Sequence, residues 1–306
     1  MPGKNATERL RADAEGLERA AAILRDGGLV ALPTETVYGL AARADSEEAV
    51  ARIFAAKGRP SFNPLIVHVK SVEEGEGIAD FIPAARVLAA EYWPGPLTLV
   101  LPRRRDVRLA DGVSAGLSTV ALRCPAHPVM RQVIALTGAP LAAPSANRSG
   151  FVSPTTPDHV LATLDGRINA VVDAGPTEAG LESTIVAVRE DGSCEVLRPG
   201  PVVLDLAAAS SSRIEAPGQL TQHYAPGKPV RLDASEATED EYLIGFGPVA
   251  GDISLSASGS LVEAAARLYA CLHEASRSPH PRIAVAPVPG SGIGQAINDR
   301  LRRAAA

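Results

Sequence analysis

The sequence predicts a mixed α/β fold in two parts. A larger unit covers residues 1–206, a linker covers 207–228, and a smaller α/β unit covers 229–306. Three observations lead there. Short apolar runs interleave with amphipathic stretches, the pattern of alternating strands and helices. Some apolar runs follow one another without a helix between them, so the sheet is expected to be mixed rather than purely parallel. After Leu206 the composition turns small and polar, and a fresh strand–helix pattern starts at Pro229.

Taken in order, Glu8 to Arg25 reads as one amphipathic helix, with Leu17, Ala21 and Leu24 on one face and Gly27 or Gly28 ending it. Leu29 to Leu32 is a strand, followed by a polar turn from Pro33 to Gly39. Ser46 suits a helix N-cap, with Glu47 and Glu48 favourable in the first turn. Gly58 suits the left-handed position that ends that helix, and Pro60 and Pro64 stop it continuing. With strand Leu65 to Val69, residues 28–69 read as a βαβ unit whose two turns are Thr34-Glu35-Thr36 and Lys57-Gly58-Arg59.

A helix is expected over Pro83 to Glu91, then the turn Trp93-Pro94-Gly95-Pro96 and strand Leu97 to Leu101. Residues 103–116 look like a polar loop. Strand Ser118 to Arg123, helix Val129 to Leu136 and the short strand Leu141 to Ala143 lead into Pro144-Ser145-Ala146-Asn147. A helix over Thr156 to Leu164 precedes three strands, 169–173, 183–188 and 194–198. Beyond the linker come strands 229–232 and 241–246, helix Ser260 to Ala275, strand 282–287 and helix Ile293 to Arg303. Gly290-Ser291-Gly292-Ile293-Gly294 lacks the GxGxxG spacing and reads as a strand-to-helix turn.

Composition excludes several function classes. A net charge of −5 argues against a dedicated nucleic-acid binder, and Arg103-Arg104-Arg105 with Arg108 reads as a solvated turn. The three cysteines, Cys124, Cys194 and Cys271, are far apart and form no CxxC, so neither a zinc site nor a disulfide framework is expected, which fits a reducing compartment. The N-terminus has no signal-peptide core, and no run approaches the ~18 apolar residues of a membrane span. No Walker A motif, HExxH or Ser-His-Asp set is present. What remains is a set of polar turns at strand ends: Thr34-Glu35-Thr36, Lys57-Gly58-Arg59, Ser145-Ala146-Asn147, Glu182-Ser183-Thr184 and Arg198. Each alone is an ordinary cap or turn. Together they supply cations, hydroxyls and an amide, which suits an anionic ligand such as a nucleotide phosphate. Lys57 stands out because the chain has only four lysines among its 30 basic residues. Where it could use arginine, a compact ammonium stands instead.

The motifs GGLVALPTETVYGL (27–40), AKGRPSFNPLIVHV (56–69), WPGPLTLVL (93–101), TVALRCPAHP (119–128), APSANRSG (143–150), ESTIV (182–186), LRPG (197–200) and HYAP (223–226) occur in that order, and AINDRLRRAA (296–305) closes the chain. On these residues the chain resembles the L-threonylcarbamoyladenylate synthase family with its YrdC-like domain, in the long form carrying a C-terminal domain. It departs from the commonest wording at Thr177, where a cysteine often stands, and in the linker PGQLTQHYAP.

The resemblance implies a twisted, open, mixed YrdC-like sheet with flanking helices, plus a smaller Rossmann-like C-terminal domain. It implies a cytoplasmic enzyme that makes threonylcarbamoyl-AMP from L-threonine, bicarbonate or CO2, and ATP, releasing pyrophosphate. The product passes to a downstream tRNA threonylcarbamoyl-transferase complex that modifies position 37. Mg2+ is expected to ride on the ATP phosphates, with no protein metal site, no stable nucleic-acid binding and no membrane contact. By resemblance Lys57, Arg59, Ser145 and Asn147 form the catalytic tetrad. Thr34, His68, Arg123, Ala143 and Ser183 surround threonine, with Arg123 on its carboxylate. Ser61, Thr119, Ser153, Arg198 and Tyr224 join the tetrad on the nucleotide side, and the 207–228 linker crosses the pocket mouth as a lid. Two other readings stay open here: a YrdC-type RNA-binding module, and an ATP-binding module without this chemistry.

Overall fold

The computed structural model describes residues 6–208, 215–218 and 223–306. Linker positions 209–214 and 219–222 of the expected lid lie outside the described residues. The larger unit runs β1 (Glu8–Arg11), α1 (Ala14–Arg25), β2 (Val30–Leu32), β3 (Gly39–Arg43), α2 (Glu47–Lys57), β4 (Ile66–His68), α3 (Val72–Glu76), α4 (Pro83–Tyr92), β5 (Leu97–Pro102), α5 (Asp111–Ser114) and β6 (Thr119–Arg123). It continues through α6 (Pro128–Thr137), β7 (Leu141–Ala142), α7 (Pro157–Leu164), β8 (Ala170–Asp173), β9 (Thr184–Val188), β10 (Cys194–Arg198) and β11 (Ala207–Ala208). These strands form one 11-stranded sheet in the order β1-β8-β2-β3-β7-β4-β6-β5-β9-β10-β11. Parallel pairs such as β4/β6 and β5/β9 sit beside antiparallel pairs such as β2/β3 and β5/β6, so the sheet is mixed, as expected.

Two expectations need correction. Glu8–Arg11 is not the first turn of a helix. It is a strand paired in parallel with β8, Glu8 opposite Ala170. Asp13 then caps α1 by accepting from the Gly16 amide. The chain reverses so tightly that a Cβ on Gly16 would lie 2.0 Å from the Arg11 carbonyl oxygen.

The second correction concerns the βαβ unit. Gly39, read as the last residue of the turn, instead begins a strand, Gly39–Arg43, that folds back antiparallel on β2, with Val30 opposite Ala41. The parallel crossover is therefore β3–α2–β4, and β7 lies between its two strands. The Pro33–Tyr38 turn becomes the loop of a hairpin. The helix signals held: Ser46 accepts from the Ala49 amide, and Gly58 closes α2 at φ 59°.

Strand alternation gives the sheet two buried faces. On one, Leu40, Ala42, Val67 and Leu99 pack with Ile53 of α2. On the other, Val30, Leu32, Ala41 and Leu141 pack beneath Leu17 and Leu24 of α1 and Met130 and Ile134 of α6. Further along that second face the helices stop. Ile66, Val100, Ala121, Ile185 and Leu197 are covered instead by Ala216 of the linker. The site lies at this junction.

After the linker, β12 (Val230–Arg231), β13 (Glu241–Gly245), β14 (Ile253–Ser254), α8 (Leu261–Arg277), β15 (Arg282–Val285) and α9 (Gly294–Ala304) build a small all-parallel sheet in the order β12-β15-β13-β14. Leu268 and Leu272 of α8 and Ile297 and Leu301 of α9 fill its core. Val37, Val152, Leu181 and Tyr224 join the same cluster, so the small unit is packed directly against the larger one.

Candidate active site

The hairpin loop supplies the first wall. Thr34 Oγ donates to the Val37 carbonyl at 2.7 Å and accepts from the Thr36 and Val37 amides, which fixes the turn while leaving its residues on the cavity wall. The C-terminal end of α2 supplies the second. Lys57 is 2% exposed, and its ammonium donates to the Ser145 carbonyl at 2.6 Å and to the Asn147 carbonyl. Arg59 is buried too, donating to the Asn63 and Pro64 carbonyls at 3.2 and 2.8 Å. The 143–147 loop approaches β3 closely, because a Cβ at Gly39 would lie 3.2 Å from Ala143 Cβ.

His68 and Arg123 are register partners on β4 and β6. Arg123 donates from Nε to the Gly95 carbonyl, from Nη1 to Thr36 Oγ at 2.9 Å and from Nη2 to Glu35 Oε1 at 2.7 Å. His68 is buried, Nδ1 has no partner among the described residues, and burial, then Arg123, lowers its pKa to about 3. A neutral imidazole therefore faces the cavity across the working pH range. Arg198 donates to the Ser183 carbonyl at 2.8 Å and to Ser183 Oγ at 3.1 Å, while Ser183 Oγ also lies 2.7 Å from Thr98 Oγ.

These residues enclose one cavity of about 50 Å³ lined by Thr34, Arg59, His68, Arg123, Ala143, Ser145, Ser183, Arg198 and Tyr224. Lys57 and Asn147 do not line it; Lys57 meets its wall through the Ser145 carbonyl. Ser153 is fully buried on the far side of Glu182, to which it donates at 2.5 Å. Two further expected residues lie away from it altogether. Ser61 is exposed on the turn beyond Arg59. Thr119 sits at the opposite end of β6 from Arg123 and lines a separate cavity with Arg103, Arg104 and Arg189. Between the two cavities the Glu215–Gly218 segment lies on the sheet: Ala216 covers Ala121, and Glu215 pairs with Arg189 at 2.6 Å. The basic turn near Thr119 is internally compensated, Arg104 by Asp106 and Arg103 by the Leu109 carbonyl.

The charge balance is the main feature. Arg123 is paired with Glu35, and Glu182 with Arg300. Lys57, Arg59 and Arg198 donate only to carbonyl and hydroxyl oxygens among the described residues. Burial, then Arg59, holds the Lys57 pKa well below its usual value; burial, then Arg198, lowers Arg59 to about 10. Three buried cations without a carboxylate partner make a site that gains stability from an anion.

Glu35, Thr36 and Glu182 were not singled out from the sequence, although each stood inside a flagged turn. Their partners are distant in the chain: Glu35 reaches Arg123 across 88 positions and Glu182 reaches Arg300 across 118.

Residues 22–200 match the Sua5/YciO/YrdC family model, whose description is telomere recombination. The chain belongs to this family. Residues 179–306 match a second model, described as the threonylcarbamoyl-AMP synthase C-terminal domain. The threonylcarbamoyl-AMP synthase of Bacillus subtilis is 37% identical over 98% of this chain and 95% of its own length. That of Pyrococcus abyssi is 38% identical over 93% and 92%. The crystal structure of P. abyssi Sua5 complexed with L-threonine superposes with a TM-score of 0.89 at 36% identity, covering 98% of each chain. Escherichia coli YciO, at 18% identity and a TM-score of 0.55, shares the Sua5/YciO/YrdC fold over 65% of this chain.

Proposed function

We propose that this chain synthesises L-threonylcarbamoyl-AMP from L-threonine, bicarbonate or CO2, and ATP, releasing pyrophosphate, as the first step of N6-threonylcarbamoyladenosine formation in tRNA. The observation that carries this reading is the set of three buried, carboxylate-free cations, Lys57, Arg59 and Arg198, beside a second polar end built on Arg123, Thr34 and His68. The first end suits phosphates and the second an amino acid. The threonine complex of the P. abyssi relative supports the second assignment.

The chemistry asks little covalent work of the protein. Threonine's amine and CO2 form a carbamate, which attacks the α-phosphorus of ATP; the bond to the bridging oxygen breaks and pyrophosphate leaves. Lys57, Arg59 and Arg198 neutralise the charge that builds on the transferring and leaving groups. Ser145 and Asn147 hold the carbamate: Ser145 Oγ donates to a carbamate oxygen, and Asn147 Oδ1, without a partner among the described residues, accepts the carbamate N–H. Thr34, His68, Ala143 and Ser183 surround threonine, and Arg123 takes its carboxylate. Glu35 and Glu182 are already engaged by arginines, so an Mg2+ accompanying ATP would be held by its phosphates, where it would neutralise their charge.

A cavity of about 50 Å³ is far below the ~300–1,000 Å³ of a typical ligand pocket. Pro217, Gly218, His223 and Tyr224 line it; with Tyr224 held in the C-terminal core, Pro217 and Gly218 must withdraw to admit ATP and then shield the labile carbamate and adenylate. That withdrawal would also join the cavity to the Thr119 end of β6, where the nucleotide can extend. The enzyme works in the cytoplasm and passes its product to a tRNA threonylcarbamoyl-transferase complex.

Pyrophosphate release from ATP, with and without threonine and bicarbonate, tests the reading. Release should require both co-substrates. Release that ignores them would refute the synthase reading, and a complete reaction that yields mostly AMP instead of threonylcarbamoyl-AMP would refute the shielding role of the linker.

The lowered Lys57 pKa gives a pH prediction. A phosphate beside Nζ favours the ammonium, so ATP binding should take up a proton. Affinity should then weaken as pH rises from the free-protein Lys57 value toward that of the complex, a window that opens below the usual lysine value of about 10.4. Calorimetric titration in buffers of different ionisation enthalpy counts the proton; a heat independent of buffer across that window would contradict the assignment.

A further inference from the structure

The small C-terminal unit reaches the wall of the cavity through two side chains. Arg300 of α9 is 0% exposed, and burying its charge is costly unless it is paired. Its Nε donates to Glu182 Oε2 at 3.0 Å and its Nη1 to Asp299 Oδ2 at 2.7 Å. Tyr269 of α8 donates its hydroxyl to the same Glu182 Oε2 at 2.8 Å, and Ser153 occupies Oε1. Both oxygens of Glu182 are therefore taken.

Glu182 and Arg198 line the same cavity with opposite charges, yet no ion pair joins them. Arg198 is aimed instead at Ser183. A buried carboxylate that lost its present partners would turn to the nearest cation. Here that cation is one of the three assigned to the phosphates. Arg300 and Tyr269 also bracket Tyr224: the Arg300 guanidinium lies 5.5 Å from the Tyr224 ring centre, and the Tyr269 ring centre lies 5.5 Å away. Tyr224 sits at φ 65°, a conformation a tyrosine keeps only when its surroundings hold it, and its buried hydroxyl has no partner among the described residues.

We propose that Arg300 and Tyr269 are positioning residues for the nucleotide end of the site: by saturating Glu182 they keep Arg198 free for phosphate, and by bracketing Tyr224 they hold its unpartnered hydroxyl at the cavity. This rests on the synthase reading above and gives the C-terminal unit a role in the chemistry without touching substrate. It differs from plain packing between units in one respect. The damage done by losing Arg300 should come from the stranded Glu182 charge, so removing that charge should repair it.

The test uses the full chain as wild type, Arg300→Met, Tyr269→Phe and Arg300→Met with Glu182→Gln. It reads KM for ATP and for threonine, kcat, ATP affinity by equilibrium titration, and the thermal midpoint. Arg300→Met should raise KM and Kd for ATP about tenfold and leave KM for threonine within about twofold. Adding Glu182→Gln should restore most of the ATP affinity. Tyr269→Phe keeps the ring and removes one hydroxyl, so it should fold and show a smaller shift in the same direction. Unchanged ATP affinity in both single variants, or an Arg300→Met loss that Glu182→Gln does not recover, would overturn the proposal. Should the wild type bind ATP with this variant pattern but make no threonylcarbamoyl-AMP, the synthase reading falls while the positioning role stands.

Discussion

Replacing Lys57 with alanine is expected to lower threonine- and bicarbonate-dependent pyrophosphate release by about 10²–10³-fold, the loss of about 3–4 kcal/mol of transition-state stabilisation that removing a preorganised donor brings. The argument is positional. Lys57 is the last residue of α2, held by the Gly58 cap, and its stem is buried so that only the ammonium works. That ammonium bridges the Ser145 and Asn147 carbonyls, so it also ties the 143–147 loop to α2. Two effects are therefore mixed in the alanine variant: a lost cation, and the Asn147 carbonyl left without its donor at about 1–3 kcal/mol, the Ser145 carbonyl still accepting from the Asn147 amide. Lys57→Met fills most of the volume, and Lys57→Arg keeps the charge but brings a planar fork to a point-charge site. All three should be severely impaired in turnover, with a lower thermal midpoint for alanine than for methionine. Near wild-type turnover in Lys57→Met would show that the ammonium only braces the loop.

How much of this was legible beforehand follows from the range of each signal. The cap of α2 at Ser46 and its stop at Gly58 are local decisions of a few residues, and both could be read. The strand Glu8–Arg11 could not, because what makes it a strand is β8, over 150 positions away. Gly39–Arg43 was lost for another reason. It is buried on both faces, so it shows no alternation, and its leading glycine looks like part of a turn. At the site, the turns carrying Thr34, Lys57, Arg59, Ser145 and Arg198 were legible as polar interruptions at strand ends. Their pairing was not. Nothing near Glu35 or Glu182 in the chain says that an arginine from another strand, or from the last helix, will neutralise it. The unpaired cations are thus a property of the fold, since they are what remains after the carboxylates have been taken.

Arg123→Ala carries the second large expected effect, and here stability and binding must be separated. The side chain is 4% exposed and its partner Glu35 is 11% exposed. Glu35's carboxyl, pushed up by burial, is held below its usual range by Arg123. Removing the arginine strands that charge, at about 3–5 kcal/mol. The guanidinium has five N–H groups, and the fold uses one on each nitrogen. One N–H on each Nη is left to meet a second carboxylate. Arg123→Ala should therefore both lower the thermal midpoint and raise KM for threonine by about 10²-fold, the worth of a charged, bidentate hydrogen-bonded pair, with ATP affinity little changed. Arg123→Met combined with Glu35→Gln removes both buried charges. It should regain much of the stability while KM for threonine stays high, since the guanidinium is still missing. If threonine binding returned along with stability, Arg123 would serve only to neutralise Glu35, and the carboxylate of the amino acid would have to be held elsewhere in the cavity.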